Sequence, residues 1–218
     1  MHALKTAIGS RQWAIGLSLN VQQKNLPAAH CLIADPMSLR LFTALAVPDD
    51  VAEHLLPLMK GVGGAKWRPR ENLHLTLRFF GELSEPVAED LDVELEAATR
   101  GFAPFEVRLK GAGSFGGADP HALWIGSAQN DSLKQLADAC EKAARRVKLK
   151  PEPRKFTPHV TVAYLNGASL DRVQSFEQSL ALFEAPPFTV QSFGLFSSLT
   201  RKSAPSLYRL EAEYPLLG

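Results

Sequence analysis

Cysteine, net charge and long apolar runs are all scarce in this sequence, and each shortage excludes a class of protein. The two cysteines, Cys31 and Cys140, lie far apart and form no CxxC pair, which argues against a zinc ribbon, a thioredoxin-like motif and a disulfide framework. The 24 basic and 23 acidic side chains nearly cancel, so no global field draws the protein to duplex DNA or to an anionic membrane. A reducing, cytoplasmic environment suits such a chain best.

Membrane and export signals are also missing. No segment approaches the roughly 18 consecutive apolar residues of a membrane span, and residues 1–36 lack the basic start and clean apolar run of a secretory signal. With 218 residues, 45% of them hydrophobic, the chain can form one large domain or two small lobes that share a core. Residues 1–36 show no regular apolar period, so we interpret them as an N-terminal extension and predict a single domain over residues 37–218.

Beyond Met37, segments in which apolar residues alternate are separated by segments with helical periodicity. This order predicts a domain that mixes strands with helices. Three of the four predicted helices begin at Asp or Ser, residues that favour a helix N-terminus. The predicted strands are Leu39–Val47, Leu73–Glu82, Phe105–Ser114, Leu123–Gly126, His159–Tyr164, Phe188–Ser198 and Ser206–Tyr214. The predicted helices run from Asp49 or Asp50 to Met59, from Ser84 to about Thr99, from Asp131 to Lys148 and from Leu170 to Leu182.

One short pattern occurs twice, as His74-Leu75-Thr76-Leu77 and as His159-Val160-Thr161-Val162. Because side chains alternate along a strand, the His and the Thr of each segment share one face and the apolar residues share the other. The order of strands and helices also repeats, which indicates an internal two-fold relation. Two such strands, brought together, would place two imidazoles and two hydroxyls around one cavity, a setting that suits a tetrahedral anion.

Two histidines and two threonines are the groups that phosphodiester hydrolysis needs. One imidazole can take a proton from the attacking oxygen and the other can protonate the leaving oxygen near neutral pH. Threonine hydroxyls can donate to the phosphate oxygens on which charge develops. A single His-x-Thr on a strand is usually a structural histidine satisfied by the backbone, but two copies in matched settings favour a shared site. Zinc is disfavoured, since the histidines lack HExxH or HxH spacing; we expect no metal and no cofactor.

Longer segments around these motifs resemble the RNA 2′,3′-cyclic phosphodiesterase branch of the 2H (two-histidine) phosphoesterase superfamily. The similar segments are Leu39 to Leu45, Lys66 to Glu82, Ala122 to Gly126 and Phe156 to Ala163. The resemblance implies an α+β, two-lobed pseudo-two-fold fold, with antiparallel sheets lining a central cleft and helices outside. It also implies hydrolysis of a terminal cyclic phosphate to a 2′-phosphate without a metal ion.

By the same resemblance, His74 is the proton donor to the 3′ leaving oxygen, His159 is the proton acceptor that activates water, and Thr76 and Thr161 bind the phosphate. The sequence alone does not distinguish donor from acceptor. Two positions depart from the branch: Tyr164 stands where an Arg often follows the second motif, and Thr157 replaces a residue that is often basic. Another cation would then bind the phosphate, and the candidates are Arg78, Arg154 and Lys155, with Phe42 as a further substrate-binding candidate.

Several functions fit these motifs. The first is hydrolysis of an RNA 2′,3′-cyclic phosphate end or of a cyclic nucleotide, by a monomeric enzyme. A second is a related reaction of the same superfamily, such as the joining of RNA through a 2′-5′ bond. A third, of a different class, is an RNA-end binding module without turnover; retention of both His-x-Thr pairs argues against it, and the missing Arg at Tyr164 is its best support.

Overall fold

The computed structural model describes residues 38–199 and 205–218, in which strands and helices alternate along the chain. The predicted N-terminal extension and the predicted domain start at Met37 lie outside the described residues. The helices are α1 (Asp49–Leu55), α2 (Glu85–Ala98), α3 (Asp131–Arg146) and α4 (Leu170–Ser179). The strands are β1 (Leu39–Ala46), β2 (Ala65–Trp67), β3 (His74–Leu83), β4 (Phe105–Val107), β5 (Leu109–Phe115), β6 (Ala122–Ser127), β7 (His159–Leu165), β8 (Phe188–Val190), β9 (Ser192–Leu199) and β10 (Leu207–Pro215).

The helices begin and end where local chemistry favours it. Helix α3 starts after Asn130, whose side-chain oxygen accepts a hydrogen bond of 2.9 Å from the Leu133 N–H. Helix α2 has Pro86 in its first turn, where the missing N–H costs nothing. Helix α1 ends at Leu55, earlier than the predicted Met59, because Pro57 cannot donate to the preceding turn. Residues Leu56–Leu58 continue instead as a short 3₁₀ helix.

Eight strands form one antiparallel sheet that contains both His-x-Thr segments. Its order is β10-β9-β1-β3-β7-β6-β5, and β2 lies beside β7. The two halves of this sheet, which we call lobes, meet between β3 and β7, where the pairing is confined to Leu75 opposite Val160. Strand β9, from the second half of the chain, joins β1 in the first lobe, and β2, from the first half, joins β7 in the second lobe. Each lobe therefore contains strands from both halves of the chain, as a two-fold exchange requires.

Two predicted strands are each divided in two. The segment predicted as Phe105–Ser114 splits into β4 and β5, and the segment predicted as Phe188–Ser198 splits into β8 and β9. Strands β4 and β8 pair with each other in a separate two-stranded sheet, while β5 and β9 belong to the main sheet. Alternation predicts extended backbone but carries no information about which neighbour a strand pairs with, so this change of partner was missed.

The core lies between the sheet and its helices. On the sheet, Leu41, Leu75 and Val160 are fully buried, and on the helices Leu91 and Leu133 are as well. Removal of these side chains from water is the main stabilising contribution. None of the helices in the described residues has the length and hydrophobicity of a membrane-spanning segment.

Candidate active site

The two repeated segments lie on strands in the predicted orientation. In β3, His74 and Thr76 are half-buried while Leu75 and Leu77 are buried. In β7, His159 and Thr161 are half-buried while Val160 and Val162 are buried. Each histidine thus shares a face with its threonine, and the apolar partners pack behind them in the core.

Their register brings the two segments together. Because β3 and β7 are antiparallel and pair at Leu75 and Val160, His74 lies beside Thr161 and His159 beside Thr76. Strand rise and strand spacing then put the two histidine Cα atoms about 8 Å apart. A phosphate group can be reached by both imidazoles across such a distance. The local two-fold axis passes between the paired Leu75 and Val160.

A β-bulge follows both histidines at the same position. On β3, Thr76 pairs with Ala44 and Arg78 with Thr43, so Leu77 is an extra residue. On β7, Thr161 pairs with Trp124 and Ala163 with Leu123, which makes Val162 the extra residue there. A bulge shifts the alternation by one, so each following side chain changes face. The side chains four positions after each histidine, Arg78 and Ala163, therefore face away from the site. Those five positions after, such as Tyr164, are on the same face as the histidines.

The two imidazoles are held by matched hydrogen bonds. The Nδ1–H of His74 donates to the Asn72 carbonyl at 2.9 Å, and the Nδ1–H of His159 donates to the Thr157 carbonyl at 2.6 Å. A carbonyl can only accept, so the neutral form of each ring carries its proton on Nδ1. Neither Nε2 atom has a hydrogen-bond partner among the described residues. Both Nε2 atoms are thus free to give or take a proton.

Burial and nearby charge act on the protonation of these rings. The pKa of His74 is lowered to about 4, first by burial and then by the positive charge of Arg68 and by His159, despite the hydrogen bond to Asn72. The pKa of His159 is also lowered, by burial. Both rings are therefore neutral at pH 7 in the protein without substrate.

This shift predicts a loss of stability in mild acid. Below pH 6.5 the unfolded chain binds a proton at residue 74, whereas the folded protein binds it only near pH 4. The free energy of unfolding should therefore fall as the pH drops from about 6.5 to 4. In His74→Gln this part of the decline should disappear, as measured by urea unfolding across that range. His54→Gln, at an exposed position on α1, is the matched control. Parallel profiles for His74→Gln and the wild type would contradict the expectation.

Aromatic rings surround both histidines. The His74 ring contacts Phe42 and Tyr208, each with ring centroids 5.1 Å apart. The His159 ring meets the edge of Phe115 at 4.8 Å and lies 6.2 Å from Trp124. Such contacts restrict how the imidazoles rotate. Phe42 is only 4% exposed, and its ring also contacts Phe196 and Tyr208. Its role as a substrate-binding residue stays a proposal.

One arginine that sequence reasoning missed lies at the site. Arg68 follows β2, and its backbone N–H donates to the Val162 carbonyl of β7 at 2.8 Å. Its side chain donates to the Tyr208 hydroxyl at 3.0 Å. The guanidinium also lies over the rings of Tyr164 and Tyr208, at 5.3 and 5.4 Å from their centroids. These contacts place a positive charge near His74, with which Arg68 interacts electrostatically.

Arg78 does not belong to the site, which corrects the expectation that it binds phosphate. The bulge at Leu77 turns its side chain toward helix α3, where Arg78 is 8% exposed and its Nε donates to Glu141 at 2.6 Å. A second nitrogen lies 3.5 Å from Glu152, and a third donates to the Lys150 carbonyl at 2.7 Å. Its charge is therefore used to join α3 and the segment before β7 to the sheet.

The other predicted cations lie on the surface. Arg154 is exposed and pairs with Glu152, Nε to carboxylate oxygen, at 2.8 Å. Lys155 is exposed as well. The exposed position of these cations and the pairing of Arg154 leave Arg68 as the buried cation nearest to the histidines in the described part of the chain. A contact of Arg154 or Lys155 with the substrate stays a prediction.

A signal for the missed residues was present but ambiguous. The chain has only three tyrosines, and two of them, Tyr164 and Tyr208, stack against Arg68. Arg68 stands in a stretch with other charged residues, Lys66, Arg70 and Glu71, so nothing in the sequence marks it as buried. Tyr208 is distant in sequence from both motifs and joins them only through the pairing of β10 with β9.

Comparison with known proteins agrees with this geometry. The family model of the 2′-5′ RNA ligase superfamily matches residues 47–202. An RNA 2′,3′-cyclic phosphodiesterase of Aeropyrum pernix is 33% identical over 148 residues, which cover 65% of this chain and 83% of the relative. Another protein of that name, from Thermotoga maritima, is 30% identical over 187 residues, which cover 83% and 97%.

Solved structures show the same fold. A protein of Thermus thermophilus superposes with a TM-score of 0.68 at 25% identity, covering 82% of this chain and 98% of its own. E. coli LigT, solved in complex with 3′-AMP, also gives a TM-score of 0.68 at 24% identity, covering 84% and 100%. The predicted α+β fold with antiparallel sheets is confirmed. On its sequence motifs, its fold and these relatives, the chain belongs to the 2′-5′ RNA ligase superfamily of two-histidine phosphoesterases.

Proposed function

We propose that the protein hydrolyses the 2′,3′-cyclic phosphate at an RNA end to a 2′-phosphate, by two-histidine acid–base catalysis without a metal ion. The observation that carries this proposal is the matched pair of Nδ1 hydrogen bonds, which leaves the Nε2 atoms of His74 and His159 free on adjoining strands. The names of the curated relatives from A. pernix and T. maritima support the substrate.

The proposed reaction assigns each proton to an atom. The Nε2 of His159 takes a proton from water, whose oxygen attacks the phosphorus. The bond from phosphorus to the 3′ oxygen breaks, and the Nε2 of His74 protonates that oxygen. The products are a 2′-phosphate and a free 3′-hydroxyl, and solvent restores the two rings. The hydroxyls of Thr76 and Thr161 donate to the non-bridging oxygens, where negative charge increases in the transition state.

The low pKa of His74 gives substrate binding a further role. His74 must be protonated to act as the acid, yet burial and Arg68 disfavour the charged ring before substrate binds. A bound cyclic phosphate is an anion and offsets the charge of Arg68. The substrate therefore favours the protonation of His74 that its own ring opening requires.

The donor set of the site suits direct binding of a phosphate. Among the described residues, no group of three or more His, Cys, Asp and Glu side chains is placed to hold a metal ion. The site itself combines two imidazoles, two hydroxyls and a guanidinium. These groups can each bind a phosphate directly by hydrogen bonds.

We also propose that the protein acts as a monomer in the cytoplasm. A nearly balanced charge and the buried free thiol of Cys140 are consistent with this location. The superfamily name raises RNA joining as an alternative reaction, and an RNA-end binding module is an alternative without turnover. RNA joining predicts a ligated product, and the binding module predicts no product.

An RNA oligonucleotide that ends in a 2′,3′-cyclic phosphate tests the proposal. With EDTA present, the protein should add one water to the end and leave a 2′-phosphate, which mass spectrometry and phosphatase treatment identify. An RNA with a linear 3′-phosphate is the control, and a 5′-hydroxyl RNA in the same tube reports joining. An unchanged cyclic end, turnover only without the chelator, or a joined RNA as the main product would contradict the proposal.

A further inference from the structure

We propose that Arg68 binds the substrate phosphate, supplying from the segment after β2 the positive charge that position 164 of β7 lacks. This inference rests on the proposed function, because it deepens the account of the same site. Its ligand class is a nucleotide phosphate attached at the 2′ oxygen, either in the cyclic substrate or in the 2′-phosphate product. The first support is the electrostatic situation of this side chain.

Arg68 is a buried cation without an acidic partner in the described part of the chain. It is 7% exposed, and its recorded side-chain contacts are with Tyr164 and Tyr208. The neighbouring arginines differ, since Arg70 meets Asp49 and Arg78 meets Glu141. Buried charges in proteins are normally paired, because removing a charge from water is costly. An anionic ligand would provide the missing counter-charge.

The position of Arg68 fits a phosphate between the two histidines. The backbone N–H of Arg68 donates to the carbonyl of Val162, the residue after Thr161. The backbone of Arg68 therefore lies beside the second His-x-Thr segment. Its side chain reaches Tyr208, whose ring lies perpendicular to that of His74. Arg68 is therefore tied to the second His-x-Thr segment by its backbone and to a ring that contacts His74 by its side chain.

The two tyrosines position the guanidinium. Tyr208 accepts one hydrogen bond at 3.0 Å, and both rings lie within cation–π distance of the guanidinium carbon. A guanidinium has five N–H donors, and the Tyr208 hydroxyl uses one of them. The remaining donors can form the paired hydrogen bonds that arginine makes with phosphate. Tyr164, at the position where the resemblance leads one to expect an arginine, offers its ring as a support for Arg68.

The test compares affinities for adenosine 2′-monophosphate by calorimetry at pH 7. Arg68→Gln should weaken binding about 10- to 100-fold, as expected for the loss of charge-assisted hydrogen bonds. Arg68→Lys keeps the charge but not the fork and should lose less. Adding Tyr164→Arg to Arg68→Gln should recover part of the affinity, because it returns a cation to the site. Arg70→Gln, at a neighbouring arginine paired with Asp49 and Glu53, is the matched control.

A second readout separates phosphate binding from a merely structural role. Removal of the Arg68 charge should raise the pKa of His74, as measured by NMR titration of the imidazole. Unchanged affinity in a folded Arg68→Gln protein would overturn the proposal. Weaker binding that Tyr164→Arg does not restore, with no change in the pKa of His74, would also overturn it. Because these measurements need no turnover, their outcome is independent of whether the wild type hydrolyses the cyclic phosphate.

Discussion

His74→Ala and His159→Ala should each lower kcat for ring opening by roughly 10²- to 10⁴-fold, the usual contribution of a positioned acid or base. The reason is geometric. Each Nδ1–H donates to a backbone carbonyl, so the Nε2 atom of each ring is the one available to transfer a proton. Steady-state rates on an RNA end with a cyclic phosphate measure the effect. The double variant should lose little more than the worse single variant, since acid and base act in one step.

The matched control for these variants is the exposed His54 on α1. His54→Ala removes an imidazole at a distance from the pair and should leave kcat unchanged. Circular dichroism and thermal unfolding establish that all variants are folded. If only one of the two variants, His74→Ala or His159→Ala, had a lower kcat and the other were as active as the wild type, a shared site would be contradicted.

Thr76→Val and Thr161→Val should each lower kcat by about 10²-fold, comparable to the loss of one donor to a developing oxyanion. Valine keeps the shape of threonine, so the half-buried positions on β3 and β7 remain filled. The effect should appear mainly in kcat, because charge on the non-bridging oxygens grows in the transition state. Rates and KM values on the same cyclic-phosphate RNA measure the two contributions.

Serine variants provide the control for the threonines. Thr76→Ser and Thr161→Ser keep the hydroxyl and should retain most of the activity. A serine variant as impaired as the valine variant would contradict the prediction, because serine keeps the hydroxyl that is proposed to donate to the phosphate. Because the two threonines occupy equivalent positions about the local two-fold axis, similar losses are expected at both.

Much of the site could be predicted because it depends on a short-range rule. Alternation along a strand places His74 with Thr76 and His159 with Thr161, and the burial of the intervening residues agrees with it. The capping signals likewise located the start of α3 at Asp131. These features need only the preferences of neighbouring residues, which a sequence contains.

The features that were missed depend on pairing between distant segments. A bulge at Leu77 moved Arg78 to the helix side of the sheet, and bulges are created by the register with a partner strand. Burial of Arg68 requires β2 to lie beside β7 and β10 to carry Tyr208 toward His74. The splits of the strands at Phe105–Ser114 and Phe188–Ser198 likewise reflect which sheet each part joins. None of these partners can be identified by a local pattern.

The central claim is that two histidines divide the roles of acid and base at one phosphate. A cyclic phosphate whose 3′ bridging oxygen is replaced by sulfur tests it most directly, because a thiolate leaves without a proton. On this substrate, His74→Ala should regain most of the wild-type rate, while His159→Ala should stay impaired. Rescue of His159→Ala instead would exchange the two roles. If the two variants were equally impaired on the sulfur substrate, relative to the wild type, the division of roles would be contradicted.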